Sequence, residues 1–324
     1  MQLFNLWTSL LLLAGSICAY AQDGDVRSIP LRTHSFTAPY LDSDMQSRWF
    51  DFGGDTVIRT DQYIRLTPDL HSRSGWLFSR VPLTATNWEI EFEFKISGHG
   101  NLYGDGFAFW LTKQRAQQGN VFGSVDKFEG LGIFFDTYKN NRPGTVFPYV
   151  MAMLGDGNTA YDKANDGKAN ELAGCSARGI RNANVPTKAR LTYFQDGKLK
   201  LELHYKNEDE WTKCFEIDNP KIPSVAYMGF SAETGELSDN HDIIYVQTKN
   251  LYQPNAGGSS SDDGRVKSPS NKSKGQNKRD RVSSGGGGVG VGGWLLRFLI
   301  FGLIVAGGYV GFTMYRSQRN RNRF

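Results

Sequence analysis

The sequence lacks any long stretch with the apolar spacing of an amphipathic α-helix, and no heptad repeat runs through it. The missing heptads exclude a coiled-coil oligomer. The missing helical periodicity leaves strands as the main elements, and the richness in Gly and in Phe, Trp and Tyr (13% of residues) agrees with strands and turns. The central region, residues 22–252, is therefore expected to fold as an all-β sandwich.

Cysteine is scarce, with three residues in 324. Cys18 lies in an N-terminal segment that is predicted below to be cleaved off, so Cys175 and Cys214 remain as one pair. A single pair in a secreted domain predicts a disulfide bond between them. Two free buried thiols are the alternative.

Residues 1–21 are predicted to be a signal peptide. An apolar run from Leu10 to Leu13 precedes Ala19-Tyr20-Ala21, a small-residue ending of the kind that signal peptidase cleaves. Positive charge is missing ahead of this run, which leaves an uncleaved membrane anchor as the alternative. The apolar run is too short to span a bilayer comfortably.

Residues 294–315 are mostly apolar, and at about 1.5 Å per residue a helix of this length crosses the hydrocarbon core of a bilayer. Trp294 and Tyr315 lie at its ends, where interfacial aromatics are common, and Arg297 is close enough to one end to reach the headgroups. Residues 316–324 contain four arginines, which predicts a cytosolic tail. The arrangement is that of a single-pass type I membrane protein. The R-x-R spacing of the tail and its terminal Phe324 resemble short retrieval and exit signals that coat proteins bind.

Residues 253–293 are rich in Gly, Ser, Asp, Asn, Lys and Arg and are expected to form a flexible stalk. The stalk and the tail supply the net charge of +4, so the charge does not indicate a nucleic-acid partner. Asn271 begins the one N-glycosylation sequon of the chain, and it lies in this stalk.

Alternation of apolar and polar residues predicts several strands in the central region. The clearest is 88–94, with its apolar side chains on one face and Glu89, Glu91 and Glu93 on the other. Further strands are predicted at 106–111, 130–135, 189–194 and 198–203. The last two are joined by a turn at Asp196-Gly197.

Six segments, taken together, resemble the leguminous-type (L-type) lectins of the secretory pathway. The segments are WFDFGG (49–54), GDGFAFW (104–110), FDTYKN (135–140), YD (161–162), NDG (165–167) and LSDNHD (237–242). The resemblance extends over roughly Ser35–Tyr252 and is strongest to the vesicular integral membrane lectins, because the stalk is short and has no heptads.

The resemblance implies a concanavalin-like β-sandwich, the jelly roll of legume lectins, followed here by the C-terminal transmembrane helix. It also implies a luminal lectin that binds high-mannose glycans on glycoprotein cargo. Such a protein acts in sorting, transport or quality control in membranes of the endoplasmic reticulum, the ER–Golgi intermediate compartment and the Golgi.

The resemblance assigns a Ca²⁺ site to Asp136, Tyr138, Asn140 and Asp166. These residues offer hard oxygen ligands, and two carboxylates neutralise a dication. In an extended stretch, residues 136, 138 and 140 point the same way. Spacing alone fits a polar turn as well, and the pattern is not that of an EF-hand loop.

The resemblance also implies a set of sugar-binding positions. These are Ser72, Asp105, Asn140 and the loop Gly235-Glu236-Leu237. Asp105 is expected to accept hydrogen bonds from two sugar hydroxyls and, as in related lectins, to follow a cis peptide bond from Gly104. Asn140 is expected to face the ion with its amide oxygen and the sugar with its amide hydrogens. Taken alone, Asp105 between two glycines fits a turn.

One position departs from the family pattern. Where related lectins have a His that contacts mannose, between Asp162 and Asp166, this chain has Lys163. A lysine only donates hydrogen bonds and has a flexible stem, so its contact with mannose is expected to be less directional. The expected consequence is weaker or broader binding of high-mannose glycans.

Two other functions fit parts of the sequence. Glu89, Glu91 and Glu93 on one strand face could belong to a glycoside hydrolase of the same sandwich fold, but the signature E-x-D-x-x-E is lacking and no second acidic cluster pairs with them. Lys163 fits a structural or adhesion ectodomain that has lost sugar binding. A lectin without enzymatic activity is the expectation.

Overall fold

Strands account for nearly all of the regular structure in the computed structural model, which describes residues 26–252. In chain order they are β1 (Arg27–Pro30), β2 (Phe50–Gly54), β3 (Val57–Arg59), β4 (Tyr63–Thr67), β5 (Ser74–Ser79), β6 (Asn87–Ser97), β7 (Gly106–Thr112), β8 (Gln118–Val121), β9 (Glu129–Asp136), β10 (Tyr149–Asp156), β11 (Ala173–Ser176), β12 (Thr187–Phe194), β13 (Lys198–His204), β14 (Thr212–Asp218), β15 (Tyr227–Glu233) and β16 (Asn240–Tyr252). Two short 3₁₀ helices, Arg32–His34 and Lys163–Asn165, also occur in this range.

The strands form two antiparallel sheets. Sheet A has eight strands in the order β14-β13-β12-β6-β16-β4-β3, with β1 paired to β16, and sheet B has seven in the order β11-β10-β9-β7-β15-β5-β2. Many neighbours within a sheet are distant in sequence, because the chain crosses repeatedly from one sheet to the other. The predicted all-β sandwich is therefore confirmed, and the five strands predicted from alternation lie within β6, β7, β9, β12 and β13.

The strand β6 shows how the sequence produces this architecture. Its apolar residues alternate with glutamates, so one face is buried and the other is partly exposed. On the buried face, the ring of Phe92 lies 5.7 Å from that of Phe109 in β7 and 5.0 Å from that of Phe230 in β15. Each fully buried phenylalanine stabilises the fold by about 1.5 to 3 kcal/mol relative to an exposed one. This aromatic layer joins sheet A to sheet B.

The central strands of sheet B, β7, β9 and β15, are buried on both faces. Every residue of β7 is buried, because its side chains alternate between the layer shared with sheet A and a second apolar cluster on the outer face. The outer cluster consists of Phe78, Ala108, Trp110, Val121, Phe122, Phe128, Phe134, Met151, Met153 and Tyr161. Phe122 and Tyr161 come from connecting segments, not from strands of the sheet. Burial of these two rings packs the segments 122–128 and 157–172 onto sheet B.

Several predicted features lie outside the described residues. They are the signal peptide 1–21, the stalk 253–293 with its sequon at Asn271, the membrane span 294–315 and the tail 316–324. Between residues 26 and 252 there is no helix with the length and apolarity that a membrane span requires.

A disulfide bond joins Cys175 in β11 to Cys214 in β14, as predicted, with the two Cα atoms 5.3 Å apart. The strand β11 is an edge of sheet B, and β14 is an edge of sheet A. The bond therefore fastens the two sheets to each other along one side of the sandwich.

Replacing both cysteines, Cys175→Ala with Cys214→Ala, should lower the free energy of unfolding by about 4 kcal/mol, because the bond closes a loop with a sequence separation of 39 residues. The double replacement leaves no unpaired thiol in residues 26–252 that could exchange. Urea unfolding followed by tryptophan fluorescence measures the difference. An unchanged unfolding midpoint would contradict this role for the bond.

Candidate functional site

Three strands of sheet B meet at one end of the sandwich. Gly106, the first residue of β7, lies in register opposite Asp136 at the end of β9 and Glu233 at the end of β15. The segments that flank these strand ends are therefore neighbours, although they lie far apart in the sequence. They contain most of the predicted site residues.

An open cleft lies at this end and encloses about 460 Å³, open solvent included. Its lining consists of Asp105, Asn120, Val121, Phe122, Asp136, Tyr138, Asn140, Tyr161, Lys163 and Glu233. Five of the predicted residues, Asp105, Asp136, Tyr138, Asn140 and Lys163, are thus brought together. The other predicted residues lie beside this lining and contact it: Asp166, Ser72 and the loop 235–237.

The extended stretch expected to carry three ion ligands ends earlier than predicted. Asp136 is the last residue of β9, and Tyr138 and Asn140 follow in bends. The backbone N–H of Tyr138 donates to Oδ1 of Asp136 at 3.1 Å, and an aspartate that accepts from the residue two positions on turns the chain. The grouping of these residues depends on that turn, and strand alternation does not explain it.

Asp166 reaches the site from a tight turn. It follows the 3₁₀ helix Lys163–Asn165 and has a left-handed backbone with φ 53°. Next to it, Gly167 donates its N–H to the carbonyl of Asp162 at 2.8 Å. A Cβ at Gly167 would lie 2.6 Å from the ring of Tyr161, so a larger residue would push this turn off the outer cluster. The buried carboxylate accepts the backbone N–H of Asn140 at 3.1 Å.

The side-chain amide of Asn140 is oriented differently from the expectation. Its nitrogen donates to Oδ1 of Asp166 at 2.7 Å, whereas the resemblance implies that the oxygen faces an ion. An amide nitrogen satisfies a carboxylate acceptor, which explains this orientation. A half-turn about the last side-chain bond exchanges the oxygen and the nitrogen at the same place.

Two buried aspartates lie close together at this point. Burial raises the pKa of Asp136 well above its usual range, and the negative charge of Asp166 raises it further. Arg142 is also buried nearby, and it donates to the backbone oxygen of Asp166 at 3.0 Å. Its charge is paired with Glu171. The two aspartates therefore form a negative pocket that suits a cation.

The donor types in this pocket fit Ca²⁺. Carboxylate oxygens of Asp136 and Asp166, an amide oxygen of Asn140 and a backbone carbonyl at Tyr138 are all hard ligands. Two buried hydroxyls beside them, on Thr137 and Tyr161, have no hydrogen-bond partner. In the part of the chain that the structure describes, no three His, Cys, Asp or Glu side chains form a group that could hold a metal. A site here thus depends on neutral oxygens as well as carboxylates.

Asp105 is held between two strands. The peptide bond from Gly104 is cis, as expected. The N–H of Asp105 donates to the carbonyl of Glu233 at 3.2 Å, and its own carbonyl accepts the N–H of Thr137 at 2.9 Å. Burial raises the pKa of its carboxyl to about 6, with Glu233 adding to the rise and Lys163 opposing it. The carboxylate acceptor is thus shaped by both of these charged neighbours.

Ser72 and the loop 235–237 complete the rim. The exposed Ser72 donates its backbone N–H to the carbonyl of Gly235 at 3.0 Å. A Cβ at Gly235 would lie 3.2 Å from Oδ2 of Asp105, so the loop runs next to that carboxylate. Glu236 is exposed and Leu237 is partly buried against Gly104.

A buried ion pair fixes the loops behind this rim. Asp239, fully buried, accepts two hydrogen bonds from Arg181 at 2.8 and 2.9 Å. The same guanidinium donates to the carbonyl of Gly100 at 3.1 Å and stacks 4.0 Å from the ring of Tyr103. Ser238 donates to Asp69 at 2.7 Å. The loops that carry Ser72, Asp105 and residues 235–237 are therefore joined by one polar network.

No role was predicted for five lining residues: Asn120, Val121, Phe122, Tyr161 and Glu233. Tyr161 belonged to a recognised segment, and Glu233 lies two positions before the predicted loop, so both had a signal nearby. Asn120, Val121 and Phe122 had none, because their segment lies in neither sheet and reaches the cleft by packing onto the outer face of sheet B.

The three glutamates that suggested a hydrolase lie elsewhere. They are on the outer face of β6 in sheet A, where Glu89 pairs with Lys249 at 2.8 Å and Glu91 with Arg190 at 2.9 Å. None of them lines the cleft at the end of sheet B.

Known proteins resemble this chain over nearly all of its length. The sequence matches the legume-like lectin family over residues 27–257. An L-type lectin-like domain-containing protein of Schizosaccharomyces pombe is 38% identical over 291 residues, which are 89% of each chain. The vesicular integral-membrane protein VIP36 of Homo sapiens is 37% identical over 326 residues, which cover 97% of this chain and 90% of VIP36.

Solved structures agree with the sequence matches. The crystal structure of the VIP36 exoplasmic/lumenal domain in its Ca²⁺/Man3GlcNAc-bound form is 40% identical, with a TM-score of 0.65, and the match covers 69% of this chain and 90% of that one. The same VIP36 domain has a metal-free form, with a TM-score of 0.65 at 40% identity and coverage of 69% and 94%. By sequence and by fold, the chain belongs to the legume-like lectin family.

Proposed function

We propose that this protein is a Ca²⁺-dependent lectin that binds high-mannose N-glycans. The observation that carries the proposal is the cleft itself, in which the buried pair Asp136 and Asp166 adjoins the half-buried acceptor Asp105. The VIP36 domain, which shares the fold, has been solved with Ca²⁺ and with Man, Man2 and Man3GlcNAc. The proposal transfers these ligands to the corresponding cleft of this chain.

Asp136, Asp166, Asn140 and the carbonyl of Tyr138 would hold the ion. Ca²⁺ supplies positive charge that compensates the two buried carboxylates. The backbone N–H of Asn140 already donates to the carboxylate of Asp166, so fixing one of these residues also fixes the other. The loop 137–140 then has a single arrangement beside Asp105.

Sugar recognition needs acceptors, donors and an apolar surface. Asp105 accepts from sugar hydroxyls, Asn140 donates its amide hydrogens, and Ser72 donates and accepts at the rim. The loop Gly235-Glu236-Leu237 presents backbone groups next to Asp105. Tyr138, with 38% of its surface exposed, offers a flat apolar face for the C–H side of a pyranose. Lys163 lines the remaining wall.

The proposal also includes the membrane topology of the protein and its location in the cell. A cleaved signal peptide 1–21, the lectin domain 22–252, the stalk 253–293, the span 294–315 and the tail 316–324 make a type I membrane lectin of the endoplasmic reticulum and Golgi. It carries glycoprotein cargo, and its tail contacts coat proteins. The relative VIP36, named a vesicular integral-membrane protein, supports this placement.

A glycan array with and without EDTA tests the proposal. The lectin is expected to bind high-mannose glycans with Ca²⁺ and to lose that binding on chelation. Release of free sugar from the array would instead indicate a hydrolase. Absence of binding in Ca²⁺ would indicate a structural or adhesion ectodomain.

Two variants separate the roles of the aspartates. Asp136→Asn should weaken Ca²⁺ binding by at least about 100-fold, since even outer partners of a metal ligand are worth about 10- to 100-fold, and mannose binding should be lost with it. Asp105→Asn should weaken mannobiose binding by at least about tenfold, because hydrogen bonds to charged groups are worth about 1.5 to 3 kcal/mol, while Ca²⁺ affinity stays near native.

Calorimetry with Ca²⁺ and then with mannobiose gives both affinities. Asp218→Asn, at an exposed carboxylate at the end of β14, is the matched control and should change neither. Full mannobiose affinity in Asp136→Asn would argue against an ion-dependent cleft.

A further inference from the structure

The wall of the cleft contains an ion pair that the family pattern does not predict. The Nζ of Lys163 donates to the backbone oxygen of Asn120 at 3.2 Å and lies 3.7 Å from Oε2 of Glu233. Lys163 begins the 3₁₀ helix that leads into Asp166. One ammonium group therefore links the turn of an ion-site residue to the end of β8 and the end of β15.

The charges around Asp105 indicate what the ion pair of Lys163 and Glu233 does. Among the residues that line the cleft, Lys163 is the one cation, and Asp105, Asp136 and Glu233 are the acidic groups. The carboxyl of Asp105 is subject to the charges of both Glu233 and Lys163, with opposite effects. The backbone carbonyl of Glu233 also accepts the backbone N–H of Asp105 at 3.2 Å. Without Lys163, two carboxylates on adjoining backbone would face each other without compensation.

We infer that Lys163 and Glu233 are positioning residues that act as a charge-balanced pair, holding the carboxylate of Asp105 ready to accept sugar hydroxyls. This inference rests on the proposed function and changes the role of Lys163 within it. The ammonium group is directed at Asn120 and Glu233, and in this inference it supports the acceptor instead of donating to mannose. Glu233, which had no predicted role, becomes the second positioning residue of this pair.

A supporting role for the pair and a direct contact between Lys163 and sugar predict different patterns in a double-mutant cycle. If the pair is charge-balanced, Lys163→Met leaves Glu233 repelling Asp105, and Glu233→Gln frees the ammonium to pair with Asp105 in competition with sugar. Each single variant should then lose mannobiose affinity by about two- to fivefold, the range for partly exposed ion pairs. The double variant should return to near-native affinity.

A direct contact between Lys163 and sugar predicts something else. In that case Lys163→Met and the double variant lose the same affinity, and Glu233→Gln alone has no effect or improves binding. Either that pattern or a cycle without coupling would overturn the inference. Lys163→Arg keeps the charge and should retain most of the affinity.

The measurement is calorimetric titration of mannobiose into full-length protein in detergent at saturating Ca²⁺. Ca²⁺ affinity and the thermal unfolding midpoint are recorded for each variant, and both should stay near native, which a merely structural role for the pair would not predict. Lys113→Met is the matched control, because Lys113 pairs with Glu129 at 2.5 Å near the opposite ends of β7 and β9. It should leave mannobiose binding unchanged.

The outcomes also separate this inference from the proposed function. If the native protein binds no mannobiose in Ca²⁺, the proposed function fails and the inference fails with it. If the native protein binds and the cycle shows no coupling, only the role of the pair is wrong.

Discussion

Two carboxylates buried side by side are the constraint on which this end of the molecule depends. Asp136 ends a strand and Asp166 sits in a left-handed turn, and burial together with the charge of Asp166 raises the pKa of Asp136 well above its usual range. Such an arrangement costs free energy unless a cation compensates it. The lectin fold places these two aspartates directly beside Asp105. The proposed ion site and the proposed sugar acceptor therefore share the same few residues.

The sandwich provides the rigidity that the site needs. The central strands of sheet B are packed on both faces, so the strand ends at or next to Asp105, Asp136 and Glu233 have little freedom. Behind the rim, the buried pair of Arg181 and Asp239 joins loops that are separate in sequence. A buried charge that loses its partner destabilises a protein by about 3 to 5 kcal/mol, so this network holds the loops firmly. The loops that we propose to bind sugar are thereby supported by strands.

Much of the fold was predictable because strand alternation is a local signal. The glutamates of β6 alternate with buried aromatics, and the disulfide followed from a single remaining pair of cysteines. The site was predictable only through resemblance, since its residues come from distant segments. Local geometry was harder: the turn after Asp136 ended the expected extended stretch, and Asn140 turns its nitrogen toward Asp166. Neither Asn120 nor Glu233 could be inferred as a partner of Lys163, because their segments meet only through the packing of connecting loops onto sheet B.

Thermodynamic linkage offers the most direct test of the proposed coupling between Ca²⁺ binding and sugar binding. If Ca²⁺ strengthens mannobiose binding by some factor, mannobiose must strengthen Ca²⁺ binding by the same factor. Ca²⁺ titrations of the protein, without and with saturating mannobiose, measure this. We expect the Ca²⁺ dissociation constant to fall on addition of mannobiose. An identical Ca²⁺ dissociation constant in both titrations, with mannobiose shown to be bound, would contradict the coupling.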